Sequence, residues 1–228
     1  ISTSLSAWDE KGQPILSVKE LTLHRVRAGQ LRAAQARQSI YAMNWTRLVL
    51  PEKEFLSPSW VLGDTRRFGQ PSGMTRVGGL DGLAEALRTL QPPSRVIIDA
   101  AALVSSLDLR GAHDLTHQVL RVFQSLLQEP RLQHAELVVL TEGAVSTNAD
   151  EESQGVEPQM PWQAPIWGLL RSIRIEHPDR RIRVMDVDAE SSASAILAAL
   201  QIEDEPELAL RLGSVHAPRL APLVSFTY

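Results

Sequence analysis

Ala164-Pro165-Ile166-Trp167-Gly168-Leu169-Leu170-Arg171-Ser172-Ile173-Arg174-Ile175-Glu176-His177-Pro178, followed by Arg183-Val184-Met185-Asp186-Val187-Asp188, decides the reading of this chain. The first segment predicts a helix over Pro165–Ile175 and the second a strand over Ile182–Val187. In the helix, Gly168 would allow close approach to a sheet, with the Trp167 indole filling the space beside it. Arg171 and Glu176 read as partners within the domain.

Working outward, the same alternation recurs on both sides. Upstream, Trp60-Val61-Leu62-Gly63 reads as a short strand and Leu80–Leu90 as a helix with Leu83, Leu87 and Leu90 on one side, stopped by Pro92-Pro93. Val96-Ile97-Ile98-Asp99 is a buried strand. Asp114–Gln128 places Leu115, Val119, Val122, Phe123 and Leu126 at helical spacing, and Leu137-Val138-Val139-Leu140-Thr141 is a further strand. Downstream, Ser194–Leu200 reads as a short helix, and Leu208–Arg211 turns at Gly213-Ser214 towards Val215 and Leu220. Strands apolar on both faces, alternating with helices, mean a mostly parallel sheet covered by helices. The expected class is therefore α/β: a truncated Rossmann-like domain, plus a short N-terminal β-hairpin. That hairpin is read from Ser4–Trp8, the turn Asp9-Glu10-Lys11-Gly12 and the run Pro14–Val18 with Leu21 and Leu23.

The 228 residues suit one domain or one domain with an appendage. Hydrophobic residues at 43% and charged residues at 22% are the balance of a globular chain. A formal net charge of −4 argues against a nucleic-acid surface, and no apolar run approaches the roughly 18 residues of a membrane span. With zero cysteines the chain has no disulfide, thiolate zinc site or cysteine nucleophile, which fits a reducing cytoplasm. Ile1 and its followers lack a signal-peptide layout, so an internal piece of a longer polypeptide is expected.

The opening stretch resembles the structural, non-catalytic subdomain of the ketoreductase of modular polyketide synthases. In that family a Trp-Gly helix runs into Glu-x-Pro and then a buried strand ending in Asp. Trp167, Gly168, Arg171, Glu176, Pro178 and Asp186 fall on those positions. Two further matches occur in the family's order. Ile40-Tyr41-Ala42-Met43-Asn44-Trp45 resembles its first strand, with Trp45 on the aromatic position. Leu208–Leu220 resembles its end, where an L-R-x-G turn (Arg211, Gly213) leads to P-R-L (Pro218, Arg219). Residues 1–27 are similar to the last strands of the dehydratase domain, 28–39 read as a linker, and 40–228 as the structural subdomain.

The resemblance implies a scaffold without catalytic, cofactor or metal residues of its own. Its parent would use NADPH, and phosphopantetheine on an acyl carrier protein, to reduce β-ketoacyl chains. Its expected partners are the catalytic ketoreductase half and, in the same polypeptide, dehydratase and enoylreductase domains. Carrier protein is a possible further partner, through the arginines Arg171, Arg174, Arg180, Arg181 and Arg183. These arginines read otherwise as intradomain partners and decoration of a solvated turn. The alternatives from other classes are an autonomous reductase, a dehydratase fragment, or a carrier-docking module.

The residues test those alternatives directly. A dinucleotide site needs a strand followed by a Gly-rich turn opening a helix. The cluster Gly78-Gly79-Leu80-Asp81-Gly82 has the wrong spacing and an acid beside the phosphate position, so it reads as a turn with a helix cap. Short-chain reductases need a Tyr with Lys at the fourth following position, the Lys lowering the Tyr pKa for acid catalysis. Tyr41 is followed by Trp45 instead and Tyr228 is terminal, while Lys11, Lys19 and Lys53 all precede the Rossmann-like body. His113 and His117 share a helix face, as metal ligands can, but His113 reads as a helix start with Asp114 complementing the dipole. The loop Glu142–Pro161 is acidic at Asp150-Glu151-Glu152 and is expected to be exposed and flexible.

Overall fold

The computed structural model describes residues 2–22, 41–51, 57–69, 73–103, 106–147 and 160–222. The linker expected at 28–39, the acidic triplet 150–152, Lys53 and Tyr228 lie outside these residues. By its internal contacts the chain divides into a unit of residues 1–42 and 220–228 and a unit of residues 43–219.

In the first unit, β1 (Ser2–Trp8) and β2 (Pro14–Thr22) form an antiparallel hairpin around the expected turn. Asp9 Oδ1 fixes that turn by accepting from the amides of Lys11 and Gln13. Leu5, Trp8, Ile15 and Leu16 are all exposed on it.

The remaining strands are β3 (Tyr41–Leu48), β4 (Ser59–Leu62), β5 (Met74–Val77), β6 (Arg95–Asp99), β7 (Glu136–Glu142), β8 (Ile182–Val187), β9 (Glu207–Arg211) and β10 (Ser214–Pro222). They form one sheet in the order β3-β10-β9-β8-β7-β6-β4-β5. From β5 to β9 every neighbouring pair is parallel, and β10 returns antiparallel to β9. The chain runs from β4 outward to β5 and then back past β4 to β6. Sheet order reverses between β4 and β6, the position where open α/β sheets bind ligands.

Alternation along each strand feeds two apolar layers. Leu62, Val96, Ile98, Leu137, Val139 and Val184 face one side, with α1 (Gly79–Thr89), α2 (Leu109–Gln128) and α3 (Ala164–Glu176). Val61, Ile97, Val138, Leu140, Met185 and Val187 face the other, with α4 (Ala193–Ala199) and Phe68. Both side-chain rows are buried, so the strands read as continuous apolar runs.

Three boundaries differ from the sequence reading. β5 lies outside that reading, because its four residues carry only one buried side chain, Val77. α2 begins five residues before Asp114. Asp108 is its N-cap, accepting from the Gly111 amide at 2.8 Å, and His113 therefore lies inside the helix. Leu90 falls just past α1, extended and exposed.

Candidate functional site

Trp167, Asp186 and Arg211, far apart in sequence, meet in one buried network. Asp186 at the carboxyl end of β8 is 0% exposed and accepts from Thr141 Oγ1 at 2.5 Å and the Ala144 amide at 2.9 Å. It also accepts from the Val145 amide at 3.3 Å and from the Arg211 guanidinium. Arg211 in turn donates to the Val145 carbonyl at 2.7 Å, and the Trp167 indole donates to Thr141 Oγ1 at 3.2 Å. The network ties β7, β8, β9 and α3 to the first residues of the loop after β7. A buried carboxylate is tolerable here because every bond to it comes from a charged group, a hydroxyl or an amide. Trp45 on β3 packs edge-on against Trp167, with ring centroids 6.1 Å apart and planes at 73°.

Gly213 sits in the two-residue reversal from β9 to β10. Leu212 and Gly213 have φ of 48° and 74°, the double left-handed geometry that such hairpins favour and that only Gly adopts freely. The Leu212 amide donates to Asp188 Oδ2 at 2.7 Å, which helps hold a residue type seldom found there. Pro218 and Arg219 lie on β10, where Arg219 pairs with Glu205. Glu176 and Pro178 are exposed at the end of α3.

Several expectations are corrected. Arg171 does not pair with Glu176: it makes a two-pronged contact with Glu207 at 2.8 and 2.7 Å, and Arg174 binds the same carboxylate. Burial works to raise the Glu207 pKa, but the two guanidinium groups outweigh it and hold the carboxyl below its usual range. Sequence spacing favours Glu176 because it is near in the chain; the sheet brings β9 closer.

Of the arginines expected on a solvated turn, Arg181 is exposed, but Arg180 and Arg183 are buried and Arg174 is partly so. Arg183 is buried and binds Glu136 at 3.0 Å, and Arg95 joins the same carboxylate. Arg180 is buried against the Leu132 carbonyl. Gly168 is exposed, and a Cβ there would meet nothing within 4 Å, so helix–sheet packing does not explain it. The described start of the loop after β7 is fixed, with Ala144 and Thr147 buried. Val215 and Ala217 on β10 are 0% exposed in the second apolar layer. Tyr41 and Met43 on β3 are exposed, as is Leu220.

A crevice lies where the sheet order reverses, outside the carboxyl ends of β4, β6 and β7, beside a larger one of about 780 Å³ bounded by Gly63, Arg76 and Gly78. The crevice at the reversal has a volume of about 610 Å³, lined by Asp64, Arg66, Arg67, Asp99, Glu142 and Gln163 among others. Gly63 makes the turn out of β4 at φ 129°, and a Cβ there would come within 2.9 Å of the Asp99 Cβ. Gly63 escapes a reading of the sequence because a lone glycine after a short strand carries no phosphate fingerprint. Beyond it the chain forms a single 3-10 turn, Arg66–Phe68.

Arg67 contacts Glu142 at 2.5 Å but stands 3.7 Å from Asp99. Burial pushes the Asp99 carboxyl up, against the pull of Arg67 and of the Ala102 and Ala101 amides. Asp64, paired with Arg66, is held down at about 2 by that side-chain hydrogen bond. The three carboxylates are poorly suited to pyrophosphate, which open α/β sheets bind at backbone amides and a helix start.

His113 and His117 stack on the surface of α2 with ring centroids 4.4 Å apart. Among the described residues no group of three or more His, Cys, Asp or Glu is arranged to hold a metal. Likewise among those residues, no helix is long and apolar enough to cross a membrane.

Comparison with known proteins places this architecture. The profile of a family described as "Polyketide synthase extender module SpnB, Rossmann fold domain" matches residues 43–220. The chain is 34% identical to the spectinabilin polyketide synthase system protein NorB of Streptomyces orinoci, over 96% of this chain and 10% of that protein. It is 29% identical to polyketide synthase GfsE of Streptomyces halstedii, over 96% of this chain and 6% of that one. The chain thus spans a tenth or less of these relatives. Among solved structures, an A1-type ketoreductase superposes with a TM-score of 0.62 at 22% identity, over 81% of this chain and 42% of the other. A-type ketoreductases from a modular polyketide synthase give 0.59 at 24% identity, over 81% and 43%.

Proposed function

Because the chain belongs to the family of Rossmann-fold domains of polyketide synthase extender modules, we propose that it is the structural, non-catalytic half of a ketoreductase. In this reading it supports an NADPH-dependent catalytic half in the same polypeptide. The parent reduces the β-ketone of an acyl chain held on carrier-protein phosphopantetheine. Residues 1–27 close the preceding dehydratase, 28–39 are a linker and 40–228 the structural subdomain.

The observation that carries the reading is the use to which the family-signature residues are put. Trp167, Asp186 and Arg211 are consumed in a buried network that fastens strands together, and Thr141 and Val145 are tied into it. The Tyr–Lys pair of short-chain reductases is not formed at Tyr41, which has Trp45 four residues on, and no lysine lies between Lys53 and Tyr228. The crevice of the sheet suits the cofactor's phosphates poorly, since Asp64, Asp99 and Glu142 line it. No reaction step is therefore assigned to this chain. Its contribution is mechanical: a rigid sheet, fixed at the start of the loop after β7, on which a catalytic half can be held in one geometry.

The test is reconstitution within the natural polypeptide. The segment spanning this chain and the adjoining catalytic half should oxidise NADPH with a β-ketoacyl thioester. The same segment lacking residues 40–228 should lose the activity or the fold. Full reduction without these residues would overturn the proposal.

A further inference from the structure

The floor of the crevice between β4 and β6 carries more negative than positive charge, and the excess sits on one buried group. Asp64 and Arg66 pair with each other at the rim. Below them Glu142 and Asp99 share a single cation, Arg67, whose close contact is with Glu142. Among the described residues, Arg67 at 3.7 Å is the cation that forms an ion pair with Asp99, whose side chain is 2% exposed and is also drawn on by the Ala101 and Ala102 amides. Its Oδ1, like Arg67 Nε, has no hydrogen-bond partner among those residues. Arg76, from β5, is turned to the Gly63 carbonyl at 3.1 Å and does not neutralise Asp99 by contact. The crevice lining also includes Leu107, Met160, Ala101 and Ala102.

We propose that this crevice binds a small cationic ligand, an alkylammonium group with a short apolar tail, at the place where sheets of this topology bind phosphates. Three carboxylates against two guanidinium groups line that place here, which favours a cation over a phosphate. The ammonium would offset the charge that Arg67 leaves on Asp99, and the tail would lie against Leu107 and Met160. A proton competes for the same compensation, because burial favours neutral Asp99. The charged groups around Asp99 in the crevice are Asp64, Arg66 and Arg67 after β4 and Glu142 of β7, while Arg76 of β5 bonds the Gly63 carbonyl and acts on Asp64. Where Asp99 is protonated, each cation bound must release its proton, so affinity falls about tenfold per pH unit of acidification.

The experiment is amide NMR of the full chain titrated with n-butylammonium chloride, with sodium phosphate and tetramethylammonium chloride as controls. The expected result is saturable shifts at Ala101, Ala102 and Gln163, with a dissociation constant of about 1–10 mM, a weak-ligand affinity. The shifts should weaken about tenfold or more in Asp99→Asn and in Glu142→Gln, and weaken on acidification. Should either variant fail to fold, the other variant and the wild-type pH series still decide. Saturable phosphate shifts at these amides, equal response to tetramethylammonium, or no saturable shift with butylammonium would each overturn the proposal. This inference stands apart from the scaffold reading, which would survive its failure.

Discussion

Replacing Trp167 with Ala tests how the signature residues work. The indole is 4% exposed, lies over β7 from α3, meets Trp45 edge-on and donates to Thr141 Oγ1 at 3.2 Å. Truncating a buried Trp costs about 3–5 kcal/mol through lost burial and the cavity left behind. The aromatic contact contributes about 0.5–1.5 kcal/mol of that range. The hydrogen bond contributes roughly 0.5–1.5 kcal/mol. For a chain of this size a loss of about 1 kcal/mol moves Tm by roughly 2–4 °C, so Trp167→Ala should lower Tm by about 6–20 °C. Trp167→Phe keeps most of the ring volume but deletes the donor, and should cost about 1–2 kcal/mol. Thermal and urea denaturation followed by circular dichroism measure both. A Tm within about 1 °C of the parent for Trp167→Ala would refute the buried placement and with it the network.

Asp186→Asn should destabilise by about 3–5 kcal/mol, because Arg211 would be left buried without its carboxylate; urea titration checks this, and a loss under about 1 kcal/mol would contradict it. Glu207 gives a pH dependence with a defined sign. Its folded pKa is lowered, so its stabilisation is present above the unfolded carboxylate value of about 4.3 and is lost as pH falls through the folded value. Glu207→Gln should therefore flatten the acid limb of a stability–pH curve below about pH 4, and an unchanged limb would count against the Arg171–Glu207–Arg174 contact. Gly168→Ala should leave stability the same or raise it by up to about 1 kcal/mol, as an exposed helix position predicts; a large loss would restore a packing role.

The sequence reveals the sheet because its strands are long apolar runs. Val96–Asp99, Leu137–Thr141 and Ile182–Val187 each bury both side-chain rows, so periodicity alone marks them as interior. It misses β5, an edge strand whose Thr75 and Arg76 are exposed. It also starts α2 late, since Leu109 is 87% exposed and does not join the apolar stripe that marks the helix. Among the signature residues, identity is legible but partnership is not. Arg171 meets Glu207, 36 positions away, because its side chain on α3 reaches the first residue of β9, and no local spacing encodes that contact. The crevice is hidden for a similar reason: Asp99, Arg67 and Glu142 belong to three different segments and come together only when β4, β6 and β7 align.

The most direct measurement of the central claim is calorimetric titration of the full chain with NADPH. A scaffold whose crevice presents Asp64, Asp99 and Glu142 to the phosphates should give no saturable heat at millimolar cofactor. A micromolar dissociation constant would contradict the account, because it would require a cofactor site on the half of the enzyme assigned none.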